Sequence, residues 1–133
     1  MHLLAASSRN AGLAAEVGAG FTFAHFINAS GNGKEAVEEY RKAFQPSALA
    51  NESYVSVAVF VIIGKTVEEA EDMAAAFDLW FLSSQSPKRA AYYLPTPEKT
   101  QKTEYTLNEQ AEIKKNRQKA IIGDPKMVKQ GIE

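Results

Sequence analysis

The chain contains no cysteine. That one absence excludes disulfides, thiolate metal sites and a thiol nucleophile together, and it suits a reducing compartment such as the cytoplasm, where the protein is expected. Charge of one sign is lacking too: 16 acidic residues stand against 15 basic ones, interspersed along the sequence. A near-neutral balance provides no field for nucleic acid or for an anionic membrane, so neither is expected as a partner. Long apolar runs are missing. The longest, from Val55 to Ile63, has Ser56 within it and falls well short of the ~20 residues of a membrane helix. The opening Met1-His2-Leu3-Leu4-Ala5-Ala6 has neither the basic region nor the apolar length of a signal peptide. Histidine is scarce: His2 and His25 have no carboxylate at ligand spacing, and no metal motif, hydrolase triad or glycine-rich phosphate loop is legible.

What is present is a recurring strand, polar turn and helix. Leu3-Leu4-Ala5-Ala6 reads as a buried strand and Ser7-Ser8-Arg9-Asn10 as the turn after it. Ala11, Leu13, Ala14, Ala15 and Val17 then form a helix of small residues that ends at Gly18 and Gly20. Phe21 to Phe26 is a second strand, followed by the loop Asn28-Ala29-Ser30-Gly31-Asn32-Gly33 and by a helix with Ala36, Val37, Tyr40 and Phe44 on one face. Tyr54 to Ile63, apolar at nearly every position, reads as a third strand buried on both faces. Thr66-Val67-Glu68-Glu69 has capping-box spacing and opens a helix whose broad face carries Val67, Ala70, Met73, Ala74, Phe77, Trp80 and Phe81. Residues 83–105 break the pattern, which predicts a loop or lid. Thr106-Leu107-Asn108-Glu109 repeats the capping box at the start of a Lys- and Glu-rich helix. Ala120-Ile121-Ile122-Gly123 stops that helix, and Asp124-Pro125 opens the next. Strands alternating with helices imply a parallel sheet covered by helices, an α/β architecture, but about three strands are fewer than sheets usually hold. The expectation is a piece of a larger βα fold.

Chemistry belongs at the polar turns. Ser7, Ser8 and Asn10 stand where a strand runs into a helix, so that free N–H groups and hydroxyls face a potential anion. The plainer and commoner reading is that Ser8 or Asn10 merely caps its own helix. His25 lies near the C-terminal end of the second strand, the active-site face of a parallel βα barrel, though a lone histidine there is more often structural. Asn28, Ser30 and Asn32 share that mouth or serve turn geometry, and Tyr92 and Tyr93 either close over a planar ligand or pack locally. Trp80 and Phe81 read as core. The run from Lys114 to Lys119 reads as a solvated helix face.

Taken in order, Leu3-Leu4-Ala5-Ala6-Ser7-Ser8, Leu13-Ala14-Ala15-Glu16-Val17-Gly18, Phe23-Ala24-His25-Phe26-Ile27-Asn28, Glu39-Tyr40-Arg41 and Phe44-Gln45-Pro46-Ser47 resemble the bacterial luciferase-like flavin monooxygenases. Thr66-Val67-Glu68-Glu69-Ala70, Leu79-Trp80-Phe81-Leu82 and Ile121-Ile122-Gly123-Asp124-Pro125 continue the match. The resemblance implies a partial (β/α)8 TIM barrel. Residues 1–133 would be its C-terminal portion, lacking strands one to four and the last strand. It also implies reduced FMN and molecular oxygen acting on a small organic substrate, with a flavin reductase as supplier. Ser7, Ser8 and Asn10 would hold the FMN phosphate and His25 would line the flavin ring. Many relatives have Gly where this chain has Ala6. The alternative is a non-catalytic truncated product or structural partner that self-associates or pairs with an N-terminal half through its open sheet edges.

Overall fold

Strands alternate with helices through residues 1–28, 31–85 and 93–133, which are the residues the computed structural model describes. They form two units, Met1–Val59 and Phe60–Glu133.

In the first unit, β1 (His2–Ala5), β2 (Gly20–Ala24) and β3 (Val55–Ala58) form a parallel sheet in that spatial order. Leu3 stands beside Phe21 and Phe21 beside Val55, so one parity of each strand carries the apolar side chains. That face packs on α1 (Ser8–Glu16) and α2 (Gly33–Ala43). Ala11, Ala14 and Ala15 recur at helical spacing and are fully buried, which lets α1 sit close to Phe21 and Phe23. Each such buried phenylalanine contributes about 1.5–3 kcal/mol of transfer free energy. Gly18 ends α1 as the sequence predicts. Its φ of 62° is left-handed, and a Cβ there would lie 2.4 Å from the Gln45 carbonyl oxygen. Tyr40 of α2 is fully buried, donates to the Ala19 carbonyl at 2.9 Å and accepts from the Tyr54 N–H at 3.2 Å, so its hydroxyl joins the ends of β2 and β3 to α2.

In the second unit, β4 (Phe60–Ile63) and β5 (Ala120–Gly123) pair in parallel, with Val61 beside Ile121. The helices are α3 (Val67–Gln85), α4 (Pro97–Gln101), α5 (Leu107–Arg117) and α6 (Pro125–Ile132). Phe60 meets Phe77, Trp80 and Phe81 of α3 with ring centroids 5.3, 6.4 and 6.5 Å apart; Phe77 is buried, whereas Trp80 and Phe81, expected as core, pack in this cluster only half-buried.

Three expectations need correction. Tyr54 to Ile63 is not one strand: it divides at Val59, β3 pairing with β2 and β4 with β5. Nor is it buried on both faces, since Val57, Val61 and Ile63 are 59%, 43% and 49% exposed. Each sheet is only two or three strands wide among the described residues, and its helices do not cover every position. Ala120-Ile121-Ile122-Gly123, expected only to stop a helix, is strand β5, so five strand segments stand where about three were expected. Residues 83–105 hold the end of α3 and the whole of α4. Residues 86–92, Tyr92 among them, lie outside the described residues.

Candidate anion-binding turn

Ser7 takes the N-cap position of α1 with extended backbone, φ −145° and ψ 152°, and its carbonyl accepts from the Ala11 N–H at 3.1 Å to start the helix. Ser8 and Asn10, read as possible caps, lie inside α1 instead, and the exposed Ser7 hydroxyl at the N-cap makes no capping bond. No acidic side chain stands in the first turn of α1, where Arg9 adds a positive charge. The first-turn N–H groups of a helix lack intrahelical acceptors and carry the positive end of its dipole. Those groups, the hydroxyls of Ser7 and Ser8 and the exposed Asn10 amide make a donor set without a competing carboxylate.

The loop after β2 leans on this turn. Asn32 Nδ2 donates to Ser8 Oγ at 3.4 Å, and Asn28 Nδ2 donates to the Ala6 carbonyl at 3.2 Å. Asn28 and Asn32 thus lean on the serine turn rather than on His25, whose mouth they were expected to share or whose loop they were expected to shape; Ser30 lies outside the described residues. His25 stands apart from this network. It is half-buried in the turn after β2, its backbone N–H donates to the Ala58 carbonyl at 3.0 Å, and no hydrogen bond joins it to Ser7, Ser8 or Asn10. His25 borders an open cleft of about 460 Å³ with Phe23, Gly33, Lys34, Arg41 and Val57, and its Nδ1 is buried without a hydrogen-bond partner among the described residues.

Two groups of polar residues escaped the sequence reading. Arg117, taken there as part of a solvated face, turns inward: its Nε and Nη2 donate to the buried Asp78 carboxylate at 2.7–3.1 Å, and Nη1 meets Glu71. Paired charge, led by the Asp78 hydrogen bonds, raises the Arg117 pKa further above its ordinary value. Lys119 lies over the Phe81 ring at 5.1 Å, while Lys114 and Lys115 are exposed as expected. The second group is His2, Thr22 and Ser56, whose side chains form one hydrogen-bonded row across β1, β2 and β3. Shared parity in the three strands was the available signal, but it needs the strand register to be seen. No described helix is long and apolar enough to cross a membrane.

Comparison with known proteins places this arrangement in context. A family model described as luciferase-like monooxygenase matches residues 1–133. The uncharacterized protein YwcH of Bacillus subtilis (strain 168) is 39% identical over 132 residues, covering 98% of this chain and 38% of YwcH. The uncharacterized protein YceB of the same organism is 37% identical over 130 residues, with the same coverage of each chain. The crystal structure of apo-MsnO8 superimposes with a TM-score of 0.81 at 26% identity, covering 98% of this chain and 39% of that one. The chain thus spans well under half the length of the proteins it matches.

Proposed function

The chain belongs to the luciferase-like monooxygenase family, and from that membership we propose that it serves a flavin-dependent oxygenation, with the turn between β1 and α1 as the seat of the FMN phosphate. One observation carries the reading: an uncapped Ser7 and a carboxylate-free first turn at the C-terminal end of a parallel strand. A phosphate suits these donors because it supplies the acceptors that the turn lacks and the negative charge that the helix dipole and Arg9 favour. Ser7 and Ser8 hydroxyls and the N–H groups of the first turn hold it, and Asn10 closes its open side. Asn28 and Asn32 brace the turn through Ala6 and Ser8, so the donors are already in position before a ligand arrives.

His25 keeps the ring-side role that the resemblance gives it, supported by its half-buried placement in the cleft bordered by Gly33, the first residue of α2. When bound, reduced FMN supplies the oxygen activation needed to oxidise a small organic substrate. The residues of this chain contribute binding and orientation. A reductase delivering reduced flavin is the partner this chemistry requires. The test is calorimetry with FMN: Ser7→Ala combined with Ser8→Ala weakens binding at least tenfold, about 1.4 kcal/mol, while unchanged affinity contradicts the assignment.

A second reading, a structural partner, has its own observation. Among the described residues β1 pairs only with β2, and Leu4 is 56% exposed. An open parallel edge beside an exposed apolar side chain favours association with a second copy or with a complementary half.

A further inference from the structure

Asn32-Gly33 is the only place in the chain where glycine follows asparagine. That pairing is chemically labile, because a residue without a Cβ lets its backbone nitrogen swing onto the asparagine amide. The fold leaves the pair open to that reaction. Asn32 is exposed at the N-cap of α2, with φ −80° and ψ 51° outside both the helical and the extended regions, and its side chain makes no capping bond. The helix engages its carbonyl, which accepts from the Ala36 N–H at 2.9 Å. The Gly33 N–H, at the first position of α2, has no intrahelical acceptor. Among the described residues the Asn32 amide is tied by one long bond, from Nδ2 to Ser8 Oγ at 3.4 Å. Packing also fixes the glycine: an added Cβ at residue 33 would come within 2.7 Å of Cε1 of the buried Phe23 ring.

We propose that Asn32 is a modification site, where deamidation creates a carboxylate that closes the turn between β1 and α1 to phosphate. The Gly33 nitrogen gives up its proton and attacks Asn32 Cγ. A C–N bond forms, and the side-chain nitrogen takes up a proton and leaves as ammonia. Water then opens the resulting cyclic imide at either carbonyl, its oxygen going to that carbon and its protons to the Gly33 nitrogen and the medium. The balance is amide and water to carboxylate and ammonium, without oxidant or reductant, and the product is aspartate or isoaspartate. The amide that donated to Ser8 thereby becomes an acceptor of negative charge beside a first turn that otherwise has no acidic side chain. It repels a bound phosphate and competes for the Ser8 hydroxyl. At its own position the new charge is favourable, since it stands at the N-terminus of α2, so the fold tolerates the change. The effect on phosphate rests on the anion-binding reading of the turn; the deamidation itself does not.

The test has two arms, both on the full chain. In the first, the protein is held in warm, mildly alkaline buffer, digested and read by fragment-ion mass spectrometry. The amide-to-acid mass increase is found at Asn32 before any other asparagine, divided between aspartate and isoaspartate, and Asn32→Gln abolishes it at that position. In the second arm FMN is titrated into variants shown by circular dichroism to be folded. Asn32→Asp binds about tenfold more weakly than the parent. It also binds more weakly than Asn32→Ala, which loses the bond to Ser8 without gaining a charge, and high salt narrows the gap between the two variants. An Asn32 that keeps its amide while other asparagines lose theirs overturns the modification site. Equal affinities for Asn32→Asp and Asn32→Ala overturn its effect on the turn. A parent chain that binds FMN no better than riboflavin overturns the phosphate reading and this effect with it, whereas the mass increase decides the modification by itself.

Discussion

Ser7 occupies an N-cap position without a side-chain capping bond, and that local difference leaves its hydroxyl open for the anion this turn is proposed to hold. The residue type was legible in the sequence, because serines after a strand and before a small-residue helix have few uses. The choice between cap and ligand was not, since it depends on where one hydroxyl points. The same holds for Arg117, which shares a basic run with the exposed Lys114 and Lys115 but whose own guanidinium turns to Asp78, 39 residues earlier. His2 gave no signal in the sequence, because its contact with Thr22 depends on the register of another strand. Tyr40 offers a residue-scale prediction. Its hydroxyl satisfies two backbone groups, so Tyr40→Phe leaves the Ala19 carbonyl and the Tyr54 N–H without their partner and costs about 1–3 kcal/mol. Urea unfolding then shows a lower midpoint at unchanged slope; an unshifted midpoint contradicts the role given to Tyr40.

Helices were easier to read than strands because their ends are written in local chemistry. Thr106 and Glu109 form the complete capping box, and Asp124 accepts from the Met127 N–H at 2.8 Å ahead of Pro125, as their spacing predicts. At α3 the box is half formed: Thr66 accepts from the Glu69 N–H at 3.2 Å, but Glu69 accepts from Lys65 rather than from Thr66. The strands carried no such punctuation. The break at Val59 lies inside a continuous apolar run, and β5 is only four residues long, too short for alternation to declare it. Between α3 and α5 the Asp78–Arg117 pair is the polar fastening. Asp78→Ala leaves a half-buried guanidinium with only Glu71 and costs about 2–4 kcal/mol, less than a fully buried pair would because Arg117 keeps some solvent. Thermal melting reports this as a loss of several degrees, and a melting temperature equal to that of the parent chain contradicts it.

For the whole molecule, a parallel α/β chain of this family spans 38% of YwcH and leaves the β1 edge unpaired among its described residues. The exposed apolar side chain of Leu4 adds to that edge. Self-association is therefore expected at micromolar concentration, and light scattering that shows only monomer contradicts the structural-partner reading. The flavin reading stands on a separate feature, the donor set at the start of α1, and on the phosphate it is proposed to hold. Its most direct test compares FMN with riboflavin, which lacks the phosphate, in fluorescence-quenching titrations of the purified chain, with circular dichroism on the same sample to establish folding. The account predicts saturable FMN binding, weaker riboflavin binding, and loss of that difference when Ser7 and Ser8 are both alanine. A folded chain that binds neither flavin, or binds both equally, contradicts it.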